Sequence, residues 1–211
     1  MGGLVQGENS VSRTDIRRAA RVARDGLSPR QRSEANEKIA LHILKSPPIL
    51  QGTTFGLYAS YRGEVDTGSI LQALLRQEKR VFLPKVLEQI DGLDMTFYPI
   101  TGVEQLQPGF KGILEPPQSQ LPSVEPDVLI VPGLAFSAGG GRLGYGAGTY
   151  DRYLEHKVPL PLLIGLSFEC QMVDFLPTLP HDIPMNMIVT EERVIDCGAG
   201  SNGESGSKLP S

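Results

Sequence analysis

The chain has no tryptophan, only three histidines and two cysteines, and no surplus of basic charge. Each shortage removes a class of function. Cys170 and Cys197 form neither a CxxC pair nor a zinc-ligand spacing, so two reduced thiols in a reducing compartment are expected. No apolar stretch approaches the roughly 18 residues that a bilayer span needs. The opening residues, MGGLVQGENSVSRTDIRR, lack the apolar centre of a secretory signal. A formal net charge of −4 leaves no broad electrostatic footprint for nucleic acid. "SKL" at Ser207–Leu209 is followed by Pro210 and Ser211, so it is not a terminal peroxisomal address. The expectation is a soluble cytoplasmic protein, with neither membrane nor nucleic acid as a partner.

What is present is an ordinary globular composition: 211 residues, 40% hydrophobic and 21% charged, long enough to bury a sizeable core. Residues 1–12 carry no period, and GAGSNGESGSKLPS at 198–211 is rich in Gly and Ser. Both are expected to be disordered tails around a single domain spanning 13–197. Ile16, Ala19, Ala20 and Ala23 have helical spacing, predicting a helix over 14–25 that Gly26 stops. Ser28 followed by Pro29 starts a second helix that runs to about Leu44, and Pro47-Pro48 is expected to end that region. Strands are expected at 54–58, 80–84, 95–99, 127–131, 162–166 and 188–189. Helices are expected at 68–77 and 149–155. Strands alternating with helices predict an α/β layered sheet, much of it parallel, with ligands at the carboxyl ends of its strands.

The densest local signal is GGGRLGYGAGTYDRYL, from Gly139 to Leu154. Six of its first ten residues are glycine. Glycine costs backbone entropy on folding, so such density needs a cause. A flexible surface loop is one reading. A dinucleotide fingerprint is a second, since Gly139, Gly141 and Gly144 satisfy GxGxxG, but the preceding strand ends too early and no helix opens at Gly144. The third is a phosphate cradle. Gly144, Gly146 and Gly148 alternate ahead of a helix, whose bare N–H groups attract anions. Arg142 adds a planar cation, and Asp151 a hard oxygen of the kind Mg²⁺ takes beside phosphates.

The stretch VPGLAFSAGGGRLGYGAGTYDRYL resembles the signature of the 5-formyltetrahydrofolate cyclo-ligase family, also called methenyltetrahydrofolate synthetases. RGEVDT at 62–67 and FLPTLPHDIPMNMIVTE near the end are similar to further family segments. The resemblance extends over about 13–192. It implies a three-layer α/β/α sandwich with a largely parallel sheet, similar to sugar-phosphate isomerases and CoA transferases. It also implies an ATP-dependent conversion of 5-formyltetrahydrofolate to 5,10-methenyltetrahydrofolate, through a phosphorylated formyl intermediate, with Mg²⁺ as cofactor. The partners implied are a reduced folate and ATP, and a monomer is expected.

Carried over residue by residue, the resemblance implies ATP binding by Arg13, Arg17, Arg142, Gly144, Tyr145, Gly146 and Gly148. Ala59, Glu64, Tyr150 and Lys85 are implied for the folate, with Lys85 toward its glutamate tail. Arg142 and Tyr150 are the implied catalytic residues, and Asp151 and Asn186 the implied metal ligands. The residues alone leave plainer readings open: Arg13, Arg17 and Arg21 as a solvated basic stripe, Glu64 as a turn residue, and Tyr150 as packing. His181 beside Asp182 is expected to serve structure. The chain also departs from the family pattern at Arg13, Ser137, Thr149, Leu114 and Asn186, where the family tends to have Lys, Asp, Tyr, Pro and Asp. The departures at Thr149 and Asn186 favour an alternative: a drifted paralogue that binds nucleotide or folate without turnover.

Overall fold

The computed structural model describes residues 11–89, 92–117, 125–155 and 157–198. The first helix, α1 (Arg13–Asp25), starts at Ser12, whose side chain accepts from Asp15 N. The second, α2 (Pro29–Leu44), opens with a full capping box between Ser28 and Gln31. Each cap satisfies backbone N–H groups that a helix start leaves unpaired. Pro47 and Pro48 do not end the helical region as expected; they open α3 (Pro47–Gln51). Proline lacks only a donor that the first helical turn does not use, so it serves as readily to begin a helix as to stop one.

The remaining elements follow in order. They are β1 (Thr54–Gly56), α4 (Gly68–Arg76), β2 (Arg80–Gln89), β3 (Gly92–Ile100), β4 (Gln107–Pro108), β5 (Leu114–Glu115), β6 (Val128–Val131), β7 (Ala135–Ser137), β8 (Arg142–Leu143), α5 (Thr149–Glu155), β9 (Leu162–Leu166), β10 (Met172–Val173), β11 (Met187–Val189) and β12 (Val194–Asp196). Seven strands form the central sheet in the order β12-β11-β9-β6-β1-β2-β3. Its inner strands run parallel, and the edge strands β3 and β12 are antiparallel to their neighbours. The expected largely parallel α/β sheet is therefore observed.

Alternation along the strands divides the core between two faces. Val128 and Ile130 join Phe55, Val81 and Leu83 beneath Ile39 and Ile43 of α2 and Ile70 and Leu74 of α4. Leu129 and Val131 point the other way, joining Phe82, Phe97 and Phe136 and Leu154 of α5. A small sheet, β10-β7-β8, lies on that second side. It carries α1 through Ile16 and Ala20, which pack on Ala135, Leu143 and Leu176.

Residues 1–10 and 199–211, most of the expected tails, lie outside the described residues. Ser12, assigned to a tail from the sequence, belongs to the fold as the cap of α1. Cys170 and Cys197 are both free thiols. Among the described residues, no helix is long and apolar enough to cross a membrane.

Candidate active site

After β1 the chain continues sideways to β2, whereas after β6 it continues to β9 on the other flank. The two strands are neighbours, so the order of the sheet reverses between them. Open α/β sheets place ligands in the crevice at such a reversal, outside the carboxyl ends. A cavity of about 630 Å³ lies there. Tyr58 and Ala59 reach it from beyond β1, Pro84 and Val86 from β2, and Pro132 from beyond β6.

One wall is cationic. Arg13, Arg17, Arg21 and Arg24 line it from successive turns of α1. Arg13 pairs with the Asp182 carboxylate and donates to the Pro177 carbonyl at 3.1 Å. Asp182 also accepts from Leu179 N at 2.7 Å. Burial would raise its pKa, but the bonds from Arg13 and Leu179 outweigh burial and hold it below the usual carboxylate range. Asp182 of the HD turn thus anchors α1, while His181 beside it lines the cavity. Arg17 donates through Nε to the Gly144 carbonyl at 2.9 Å. Partial burial and the neighbouring Arg13 charge pull its pKa down, so this cation is short of negative charge.

Facing α1 is the glycine loop, with Gly144, Tyr145, Gly146, Ala147 and Gly148 all lining the cavity. Gly146 and Gly148 have φ of +103° and +64°, the left-handed region that side chains disfavour. The loop therefore turns tightly and presents bare backbone. Arg142, nearly buried, donates to Asp151 Oδ1 at 2.7 Å. Its carbon Cζ lies 5.8 Å from the centre of the Tyr150 ring. Its Nε is buried with no hydrogen-bond partner among the described residues. Burial pushes the Tyr150 hydroxyl well above its ordinary pKa, with the Glu64 charge adding to it, so this phenol stays protonated as a donor.

Glu64 lies across the cavity. Gly63 turns the chain at φ +79°, and Arg32 ties the turn down through the Gly63 carbonyl at 2.9 Å. The Glu64 carboxylate accepts from Tyr61 N at 2.9 Å. Burial raises its pKa, opposed by that bond, by the Tyr145 hydroxyl and by the Arg24 charge. Arg24, itself buried, donates to Tyr145 Oη at 2.9 Å. Tyr145 is pushed up to about 12 by its own burial first and by Glu64 second. The result is a recessed carboxylate with free acceptor capacity, among groups that remain protonated donors.

Between these two ends the wall is apolar: Pro84, Val86, Leu93, Met95, Phe110 and Ile113. Nothing in the sequence marks these residues. The 110–113 segment has no periodicity to mark it, and Leu93 and Met95 sit on a hairpin whose approach is a tertiary matter. Arg21 and Arg24 were closer to hand, because they continue the helical spacing of Arg13 and Arg17.

Arg13, Arg17, Ala59, Glu64, Arg142, Gly144, Tyr145, Gly146, Gly148, Tyr150 and Asp151 all line this one cavity. Two other expected residues do not. Lys85 lies between Pro84 and Val86 on β2, and alternation turns it away from both; its Nζ is 3.5 Å from Glu115. Asn186 stands at the start of β11, where its Oδ1 accepts from Leu163 N at 2.8 Å. It belongs to the sheet margin, two strands from β6, and not beside Asp151. Among the described residues no three His, Cys, Asp or Glu side chains gather as a metal site.

Fold and cavity together define an α/β protein with a cationic, glycine-walled crevice at the reversal of its sheet. Among known proteins, the 5-formyltetrahydrofolate cyclo-ligase family matches residues 9–191. The chain belongs to that family. It is 36% identical to the 5-formyltetrahydrofolate cyclo-ligase of Haemophilus influenzae, over 84% of this chain and 96% of the relative. It is 34% identical to the Escherichia coli K12 enzyme of that name, over 82% and 97%. The solution structure of Aquifex aeolicus 5,10-methenyltetrahydrofolate synthetase superposes with a TM-score of 0.76 at 30% identity, covering 92% of this chain and 96% of that one.

Proposed function

We propose that the protein closes 5-formyltetrahydrofolate to 5,10-methenyltetrahydrofolate at the expense of ATP, releasing ADP and phosphate. One observation carries this reading: a single cavity joins a guanidinium-and-glycine end, an apolar middle and a recessed carboxylate. The first end suits a triphosphate, the middle a flat ring system, and Glu64 the N–H donors of a pterin.

An amide-like formyl oxygen is a poor leaving group. In the proposed reaction that oxygen attacks the γ-phosphorus of ATP and ADP departs. N10 then attacks the activated carbon. Loss of the N10 proton and of phosphate leaves the methenyl bridge, so the oxygen exits on phosphate. Phosphoryl transfer needs alignment and charge neutralisation more than covalent help. Arg17 and the N–H groups of the loop hold phosphate oxygens. Arg142, held by Asp151, lines the cavity and sets a fixed positive charge beside the negative charge that develops. Tyr150 stacks or donates near the formyl group as a protonated phenol. Asp151 Oδ2 has no hydrogen-bond partner among the described residues, so Asp151 would hold Mg²⁺ together with phosphates, a set this ion commonly takes. When bound, the ion neutralises phosphate charge.

The alternative of a binder without turnover loses one support, because Asn186 lies outside the cavity; Thr149 remains, as a cavity residue. The test is to mix purified protein with 5-formyltetrahydrofolate, ATP and Mg²⁺ and follow the near-ultraviolet absorbance of the methenyl product. Product and ADP are expected in equal amounts. Binding of both substrates with no product would establish the alternative.

A further inference from the structure

We infer that Arg62 and Lys111 form a carboxylate-binding subsite at the cavity mouth, which receives the γ-linked glutamate tail of the folate. This deepens the proposed function and rests on it. With Lys85 turned away and engaged by Glu115, the tail of the substrate lacks the cation assigned to it from sequence.

The cavity supplies others. Arg13 is neutralised by Asp182, Arg142 by Asp151, and Arg24 is buried against Tyr145 and Asp25. Arg17 and Arg21 belong to the α1 wall opposite the glycine loop, at the phosphate end. Arg62 and Lys111 remain. Both line the cavity, both are exposed, and neither has a carboxylate within ion-pair range among the described residues.

They come from distant parts of the chain but are held at one place. The Tyr61 hydroxyl donates to the Lys111 carbonyl at 3.1 Å, bridging the two segments. Arg62 lies over the Tyr61 ring, 5.0 Å from its centre, and Lys111 over the Phe110 ring at 4.9 Å. The aromatic faces position the cations without neutralising them. Phe110 and Ile113 continue directly into the apolar wall. A ligand whose ring rests on that wall and whose end carries carboxylates meets the wall and both cations together. The cavity thus carries two sets of cations, those of the α1 wall beside the glycine loop and the exposed pair Arg62 and Lys111, for two substrates, one with phosphates and one with carboxylates.

The test is equilibrium binding, so that it does not depend on turnover. Dissociation constants are measured for ATP and for 5-formyltetrahydrofolate carrying one or five glutamates. The proteins are the wild type, Arg62→Asn, Lys111→Asn and the double variant. Asparagine tolerates the left-handed backbone at both positions, φ +45° and +55°. Each cation removed is expected to weaken the pentaglutamate form about two- to fivefold, and more than the monoglutamate. ATP affinity stays put, and the charge-keeping Arg62→Lys and Lys111→Arg restore folate binding. Loss of ATP affinity instead, or equal loss for both folates, overturns the subsite. A wild type that binds both folates but produces no methenyl product sinks the proposed reaction alone. A wild type that binds no folate overturns both.

Discussion

At the scale of single residues, the role proposed for Glu64 sets function against stability. Burial raises its pKa above the ordinary 4.5, so the folded protein holds this proton more tightly than the unfolded chain. Its contribution to stability is fullest below 4.5 and is lost as pH rises through the higher folded value. Glu64→Gln removes that loss. Melting curves across pH should show variant and wild type alike in acid, with the variant melting higher at neutral pH. Folate affinity should fall in the same variant, because an amide offers a donor where the pterin also offers donors. Glu64, surrounded by the RGEVDT motif, was legible in the sequence as a candidate, and it lines the cavity. Lys85 lies within β2, which runs to Gln89 rather than ending at the expected residue 84, and only packing chooses which face of the strand it takes.

At the scale of elements, α1 and the glycine loop face each other across the cavity and, in the proposed function, form the two jaws of its phosphate end. The apolar seat of the helix is small: Ile16 and Ala20 against Ala135, Leu143 and Leu176. Ile16→Ala should cost about 2–5 kcal/mol, read as a lower urea midpoint. It should also raise the KM for ATP, since Arg13 and Arg17 ride on the same helix. Ile39→Ala in α2, more fully buried than Ile16 and not part of the cavity lining, should lower the midpoint without moving that KM. In the loop, Gly146→Ala places a side chain at φ +103°, with its Cβ 3.9 Å from the Arg17 guanidinium. Distortion there should raise the KM for ATP by about tenfold or more, which steady-state kinetics will show, while KM for folate changes less. The helices and the long buried strands were readable because their periods extend over whole turns or repeats. Strands of two or three residues, such as β7, β8 and β10, carry no period at all, and the small sheet that seats α1 was invisible for that reason.

At the scale of the whole molecule, the reversal of strand order between β1 and β6 decides where everything meets. It gathers α1, the turn at Gly63, the 110–113 segment and the glycine loop around one crevice, and it leaves Asn186 at the sheet margin. Asn186→Asp should therefore leave the Mg²⁺ dependence of turnover unchanged in a metal titration; a tighter requirement would put that residue at the ion after all. By itself the sequence determined α1, α2, α4 and α5, the Ser28 cap of α2, the main strands, and a glycine-dense loop for which a backbone surface facing a ligand was one of the readings open. These are local properties, dictated by neighbours a few residues apart. Which face of β2 looks into the cavity, which carboxylate engages Arg142, and which cations stay unpaired were decided only by the tertiary structure. Each depends on residues brought together from distant segments, whose pairing no local pattern encodes.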